Sequence, residues 1–253
     1  MRNSTNLRHF ATLGFAVALG FMTPPARSQQ NTATVNVEVV KKSATKQDKP
    51  AASAANAADV VVWLNRLDPA PNDSEHGAPI SNKMQIVQKN KTFQPHLLVV
   101  PVGAMVNFPN RDPFFHNVFS LFDGKRFDLG LYEAGSTNSV RFDRLGVSFL
   151  FCNIHPEMSA VVVAVDTPYY GISDRSGHVS IPNVPDGKYE MHVWYERSLP
   201  EDLKGLSRSV TLSADKTNLG TIAVPENPSF TATHKNKYDQ DYTPPSTPGY
   251  PPH

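Results

Sequence analysis

The sequence of 253 residues holds a single cysteine, Cys152. That excludes a disulfide framework within the chain. It also lacks a surplus of either charge: 24 Lys and Arg stand against 23 Asp and Glu, a formal net charge of +1. Such a balance offers no concentrated basic face for nucleic acid. Apolar runs are scarce too. The one near the start, Phe10 to Met22, is short for a bilayer span, and no second run of spanning length follows. Sustained helical periodicity is missing and Pro is abundant, which leaves a chain expected to be almost entirely β. No Ser-His-Asp grouping, phosphate loop or paired acidic motif stands in a recognisable context, so no catalytic role is expected.

What is present begins with Arg2 and Arg8, no acid, the apolar run, and then Thr23-Pro24-Pro25-Ala26-Arg27-Ser28. This pattern predicts a signal peptide over 1–28, cleaved after Ser28 where small residues stand at the inspected positions. The mature chain is then exported, to the periplasm or the medium. Losing Arg2, Arg8 and Arg27 turns the charge of +1 into −2. A lone thiol in an oxidising compartment is a liability unless something occupies it. Metal ligation is the simplest occupant.

Cys152 sits in Phe149-Leu150-Phe151-Cys152-Asn153-Ile154-His155-Pro156-Glu157-Met158, with Phe114-Phe115-His116-Asn117 upstream. One thiol, two imidazoles and a thioether make the ligand set of an electron-transfer copper site. Soft sulfur ligands stabilise Cu(I) while imidazoles suit both oxidation states. The candidate ligands are therefore His116, Cys152, His155 and Met158. A strand ending at Cys152 and a tight loop after it would return His155 and Met158 to one metal, and Pro156 is expected to hold that loop extended and stiff. The other histidines, among them His76, His96, His178, His192, His234 and His253, have no cysteine or second histidine at ligand spacing and read as structural or solvated.

Strands are expected at Thr34–Val40, Asp59–Leu64, Met84–Gln88, His96–Val102, Ala104–Phe108, Asn117–Leu121, Ser139–Phe142, Val147–Cys152 and Ala160–Val165. Five more follow at Gly171–Asp174, His178–Ile181, Lys188–Glu196, Ser207–Leu212 and Asn218–Val224. Many short strands between Pro, Asn and Gly turns indicate an all-β sandwich or Greek-key barrel, with the last five strands as a second group. The expected divisions are 29–79 for the first strands and a linker, 80–166 for the copper unit, 167–225 for the smaller sandwich, and 226–253 for a Pro-rich tail, disordered because it is poor in aliphatic residues.

The His116-Asn117 pair on one strand, with Cys152, His155 and Met158 on the loop before another, resembles the cupredoxins, the small blue copper proteins. Their two-residue gaps are similar to the short amicyanin-type loop. The resemblance covers roughly residues 84–165. It implies neutral His116 and His155, a Cys152 thiolate, a weak axial Met158, and an Asn117 that ties the two ligand segments together. It implies also one copper of type 1, an electron-transfer role, and a protein donor and acceptor docking near Pro156. Gly171 to Tyr189 resembles the carboxypeptidase-regulatory-like, transthyretin-type sandwich, whose missing first half would be Thr34–Val40 and Asp59–Leu64. The copper unit is then inserted in that sandwich, or the two follow in tandem. Storage or delivery of copper without electron traffic, and a binding sandwich with no metal, are the competing expectations.

Overall fold

The structure is a computed structural model that describes residues 30–41, 56–68, 84–121, 124–231 and 234–242. The expected signal peptide over 1–28, most of the linker, and the segment after Tyr242 lie outside the described residues. Among the described residues the chain is almost wholly β, as its composition predicts, with one short helix. Among the described residues, no helix is long and apolar enough to cross a membrane.

Strand β1 (Gln30–Lys41) buries Ala33, Val35, Val37 and Val39 and exposes the residues between them, the alternation of a strand with one dry face. It lies at the centre of a three-stranded sheet, antiparallel to β13 (His178–Pro185) and parallel to β16 (Asn218–Glu226). Strand β2 (Val61–Arg66) is also internal, between β12 (Tyr170–Ile172) and β14 (Gly187–Trp194), with β15 (Arg208–Leu212) at the far edge. These two sheets enclose one core that includes Leu64, Ile181, Tyr189 and Met191. Strands from both ends of the chain thus build a single sandwich.

Between them in sequence runs the unit that positions the site. A five-stranded sheet orders β5 (Leu97–Pro101), β11 (Ser159–Val165), β10 (Gly146–Phe151), β7 (His116–Ser120) and β8 (Phe127–Tyr132). The pair β6 (Ala104–Pro109) and β9 (Thr137–Phe142) contributes Val106, Phe108, Val140 and Phe142 to a core shared with Leu150, Cys152, Met158 and Val162. A short pair, β3 (Val87–Lys89) with β4 (Thr92–Gln94), adds Phe93 to that core.

Every residue of β11 after Ser159 is buried, because both of its faces are covered. Ala160, Val162 and Ala164 face the core just described. Val161, Val163 and Val165 join a separate cluster with Val61, against which Trp63, Phe149, Tyr170 and Trp194 pack. This cluster joins the two units.

Three elements were not anticipated from sequence: β4, β8 and the helix α1 (Pro200–Lys204). Asp128 and the left-handed Gly130 (φ 65°) interrupt the strand signal of β8. Of the expected tail, residues 226–231 and 234–242 are described. Residues 234–242 lie on the end of the five-stranded sheet, where His234 stacks on Phe151 with ring centroids 4.1 Å apart.

Candidate metal centre

Strand β7 begins with His116, and all five of its residues are buried. Strand β10 ends at Phe151 and pairs with Ser159, so the loop from Cys152 to Met158 closes the β10–β11 hairpin. Two backbone bonds shape that loop. The Met158 N–H donates to the His155 carbonyl (3.1 Å) and the Cys152 N–H to the Met158 carbonyl (3.3 Å). His155 to Met158 is therefore a turn, with Pro156 at the second position where its fixed φ suits. The sequence reading of an extended loop is corrected here: Pro156 stiffens the segment by turning it.

The geometry brings His116, Cys152 and His155 together. Their ligand atoms all lie within 4.8 Å of one another, and no other such group of His, Cys, Asp or Glu was found among the described residues. Cys152 Sγ is 3.6 Å from His155 Nδ1 and 3.9 Å from His116 Nδ1, and the two Nδ1 atoms are 3.1 Å apart. A metal bound by nitrogen at about 2.0 Å and sulfur at about 2.3 Å in one trigonal plane separates such atoms by about 3.5–3.7 Å. The donor set and its spacing therefore fit a small, soft-ligated ion. His116 and Cys152 are wholly buried, and His155 is half-buried.

Electrostatics explain how each donor is presented. Burial pushes the Cys152 thiol up, while backbone N–H groups of Ile154, Asn117 and His155 directed at the sulfur pull it down. Those three donors stabilise a thiolate once a cation takes the proton's place. His155 is held below the usual imidazole range, by burial first and by neighbouring His116 second, which favours the neutral ring a metal needs.

Asp112 is the residue that sequence reading missed. Its Oδ2 lies 2.7 Å from His116 Nε2. Burial raises this carboxyl, but the backbone N–H of Lys91, His116 itself and the N–H of Asn90 outweigh it and hold it below the ordinary carboxylate range. An ionised carboxylate only accepts, so the proton of His116 resides on Nε2 and the Nδ1 lone pair faces Cys152 and His155. Asn110 holds the turn that delivers Asp112: its side chain donates to the Phe114 carbonyl (2.8 Å) and accepts from the Asp112 N–H (3.1 Å). The one signal available was position, since Asp112 and His116 are four residues apart around a Pro-bounded turn.

Asn117 divides its hydrogen bonds between two neighbours. Its side chain donates to Asp128 Oδ1 (2.8 Å) and the Gly130 carbonyl (2.9 Å) on β8. The tie to the cysteine loop is made by its backbone N–H. Met158 is wholly buried in the same apolar cluster as Cys152. Phe114 packs against both imidazoles, with ring centroids 5.2 Å from His116 and 5.7 Å from His155. The exposed side chains near His155 are mixed: Phe114, Phe115 and Ile154 are apolar, Lys91 Nζ lies 5.8 Å from the centre of the Phe114 ring, and Glu157 follows Pro156 in the loop. His96 and His192 lie elsewhere, the first against Glu196 and the second stacked on Trp63.

No protein-family model matches the chain, and no curated protein matches it. Solved structures similar to part of it include a copper-containing nitrite reductase from Thermus scotoductus SA-01, at 22% identity and a TM-score of 0.32 over 34% of this chain and 23% of that one. The chain thus spans under a quarter of that reductase. A purple cupredoxin from Nitrosopumilus maritimus is 25% identical over 33% of this chain and 100% of that one, with a TM-score of 0.30. A reduced amicyanin variant is 22% identical over 34% of this chain and 84% of that one, with a TM-score of 0.32.

Proposed function

We propose that this chain is a copper protein that carries single electrons between protein partners. The observation that carries the reading is the triangle of His116 Nδ1, Cys152 Sγ and His155 Nδ1, already at ligand spacing inside an apolar core. Bound there, copper would supply reversible one-electron chemistry between Cu(II) and Cu(I).

The chain's own part is to hold the donors still. His116 is fixed through Asp112, Cys152 by three N–H groups, and His155 by the turn through Pro156. Rigid donors keep one geometry for both charge states, which lowers the rearrangement that accompanies each transfer. Met158, which shares the buried cluster of Cys152, would offer its thioether as a fourth donor to the ion. His155 is the most accessible of the three donors, and the exposed Phe114, Phe115 and Ile154 near it, with Lys91 and Glu157 among them, suit the docking of a protein donor or acceptor. The leader-like first residues assign the protein to an exported compartment, and its role is that of a carrier rather than an enzyme.

The test is a visible absorption titration of the mature protein with Cu(II), beside Cys152→Ala. An intense thiolate-to-copper band that saturates at about one equivalent and is absent from the variant is the expected result. Weak spectra identical in both forms would sink the reading. A band with rapid loss of copper to a chelator, and no reversible redox couple, would turn it towards storage or delivery.

A further inference from the structure

The segment 234–242 touches the loop that carries two of the candidate ligands, and β8, the strand paired with the His116 strand β7. On the loop side, the Tyr242 hydroxyl donates to the Cys152 carbonyl (2.6 Å), and the Lys237 N–H donates to Asn153 Oδ1 (3.0 Å). On β8, Lys237 Nζ donates to Asp128 Oδ2 (2.8 Å). The other oxygen of Asp128 receives the Asn117 side chain, and the Asn117 N–H is one of those directed at the Cys152 sulfur. His234 completes the contact by stacking on Phe151, the residue before the cysteine, with Tyr242 edge-on to it at 5.3 Å.

The segment is organised for this placement. Asn236 Oδ1 accepts the N–H groups of Tyr238 and Gln240, and its own N–H donates to the Gln240 carbonyl, so a compact turn presents Lys237. Asp239 adopts a left-handed conformation (φ 60°) that a short polar side chain tolerates. Burial raises the Tyr242 phenol, and its ion pair raises Lys237, so both act in their protonated forms.

We propose that residues 234–242 are a clasp that fixes the metal loop, with Lys237 and Tyr242 as its positioning residues. The inference rests on the copper reading above and names what regulates that centre. With the clasp in place, the loop from Cys152 to Met158 opens rarely and a bound metal exchanges slowly. Lys237 and Asp128 are near the surface, so salt weakens this part of the hold.

The experiment uses the full mature chain in four forms: wild type, Lys237→Gln, Tyr242→Phe and Lys237→Arg. Hydrogen exchange on metal-free protein is read at the Cys152 and Met158 amides, and Cu(II) loss to a chelator is timed in parallel. Removing one hydrogen bond is expected to speed exchange at these amides about two- to tenfold, to speed copper loss by a similar factor, and to leave central β11 amides unchanged. Lys237→Arg keeps the wild-type rates, because its charge still meets Asp128. Loop exchange that is the same in wild type, Lys237→Gln and Tyr242→Phe would overturn the clasp, as would a Lys237→Arg form that opens as readily as Lys237→Gln. If wild type shows no thiolate-to-copper band, the copper reading falls, while exchange on the metal-free protein still decides the clasp.

Discussion

The His116 ring can offer Nδ1 to a metal only while its proton is held on Nε2, and Asp112 Oδ2, 2.7 Å away, holds it there. Asp112→Asn keeps the size of the side chain but gives up the charge that fixes the proton. Copper affinity is expected to fall by about 10- to 100-fold, read by competition with a chelator of known strength. An unchanged affinity would show that the ring is oriented by packing alone. At this scale the sequence was partly legible. Cys152 and His155 could be read because they share one short loop, and His116 because it opens an apolar strand. Asp112 could not, because Pro109-Asn110-Arg111-Asp112-Pro113 has the composition of any turn, and its role depends on which way a ring four residues later points.

At the scale of the element, the hairpin of β10 and β11 was legible from its Val and Phe content, and β8 was not. Its strand character comes from pairing with β7 rather than from its own residues, two of which are Asp128 and Gly130. The contacts of residues 234–242 were not legible from composition either. Few aliphatic residues are needed where His234 finds Phe151 and Lys237 finds Asp128. Gly177 makes a sharper prediction. It is left-handed (φ 83°), its carbonyl accepts the Val37 N–H at 2.7 Å, and a Cβ there would sit 2.0 Å from the Val37 carbonyl oxygen. Gly177→Ala must push β1 away from the turn before β13. The loss is expected to be at least about 2 kcal/mol in urea unfolding, and a loss below about 0.5 kcal/mol would contradict the close approach.

At the scale of the whole molecule, β1 pairs with β13 and β16 and β2 with β12 and β14, and everything from β3 to β11 lies between them in sequence. We propose on this ground that the copper unit is nested in the second sandwich rather than placed before it. His96, just before β5, spans the two: its Nε2 is 2.7 Å from Glu196 Oε2, which follows β14, and its Nδ1 is 3.1 Å from the Ser159 carbonyl. The hydrogen bond to Glu196 raises its pKa, against a smaller lowering by burial. A raised histidine pKa adds stability that is complete below the unfolded value of about 6.5 and is lost as pH rises through the folded value. With the imidazole 44% exposed, screening limits the gain to about 0.2–1 kcal/mol. Wild type should therefore melt up to about 3 °C above Glu196→Gln at pH 5.5–6, with the gap closing by about pH 8. A gap that widened with pH would refute the assignment.

Strand β11 has no side facing water, and it is also the strand into which the ligand loop runs. It is a party wall: neither room can be emptied while the other stands. Calorimetry should record one melting transition for the chain rather than two, and two separated peaks would mean that the units are merely neighbours. An ion seated between Cys152 and the two imidazoles would then raise the melting of the far sheets as much as that of its own, by mass action on a single equilibrium.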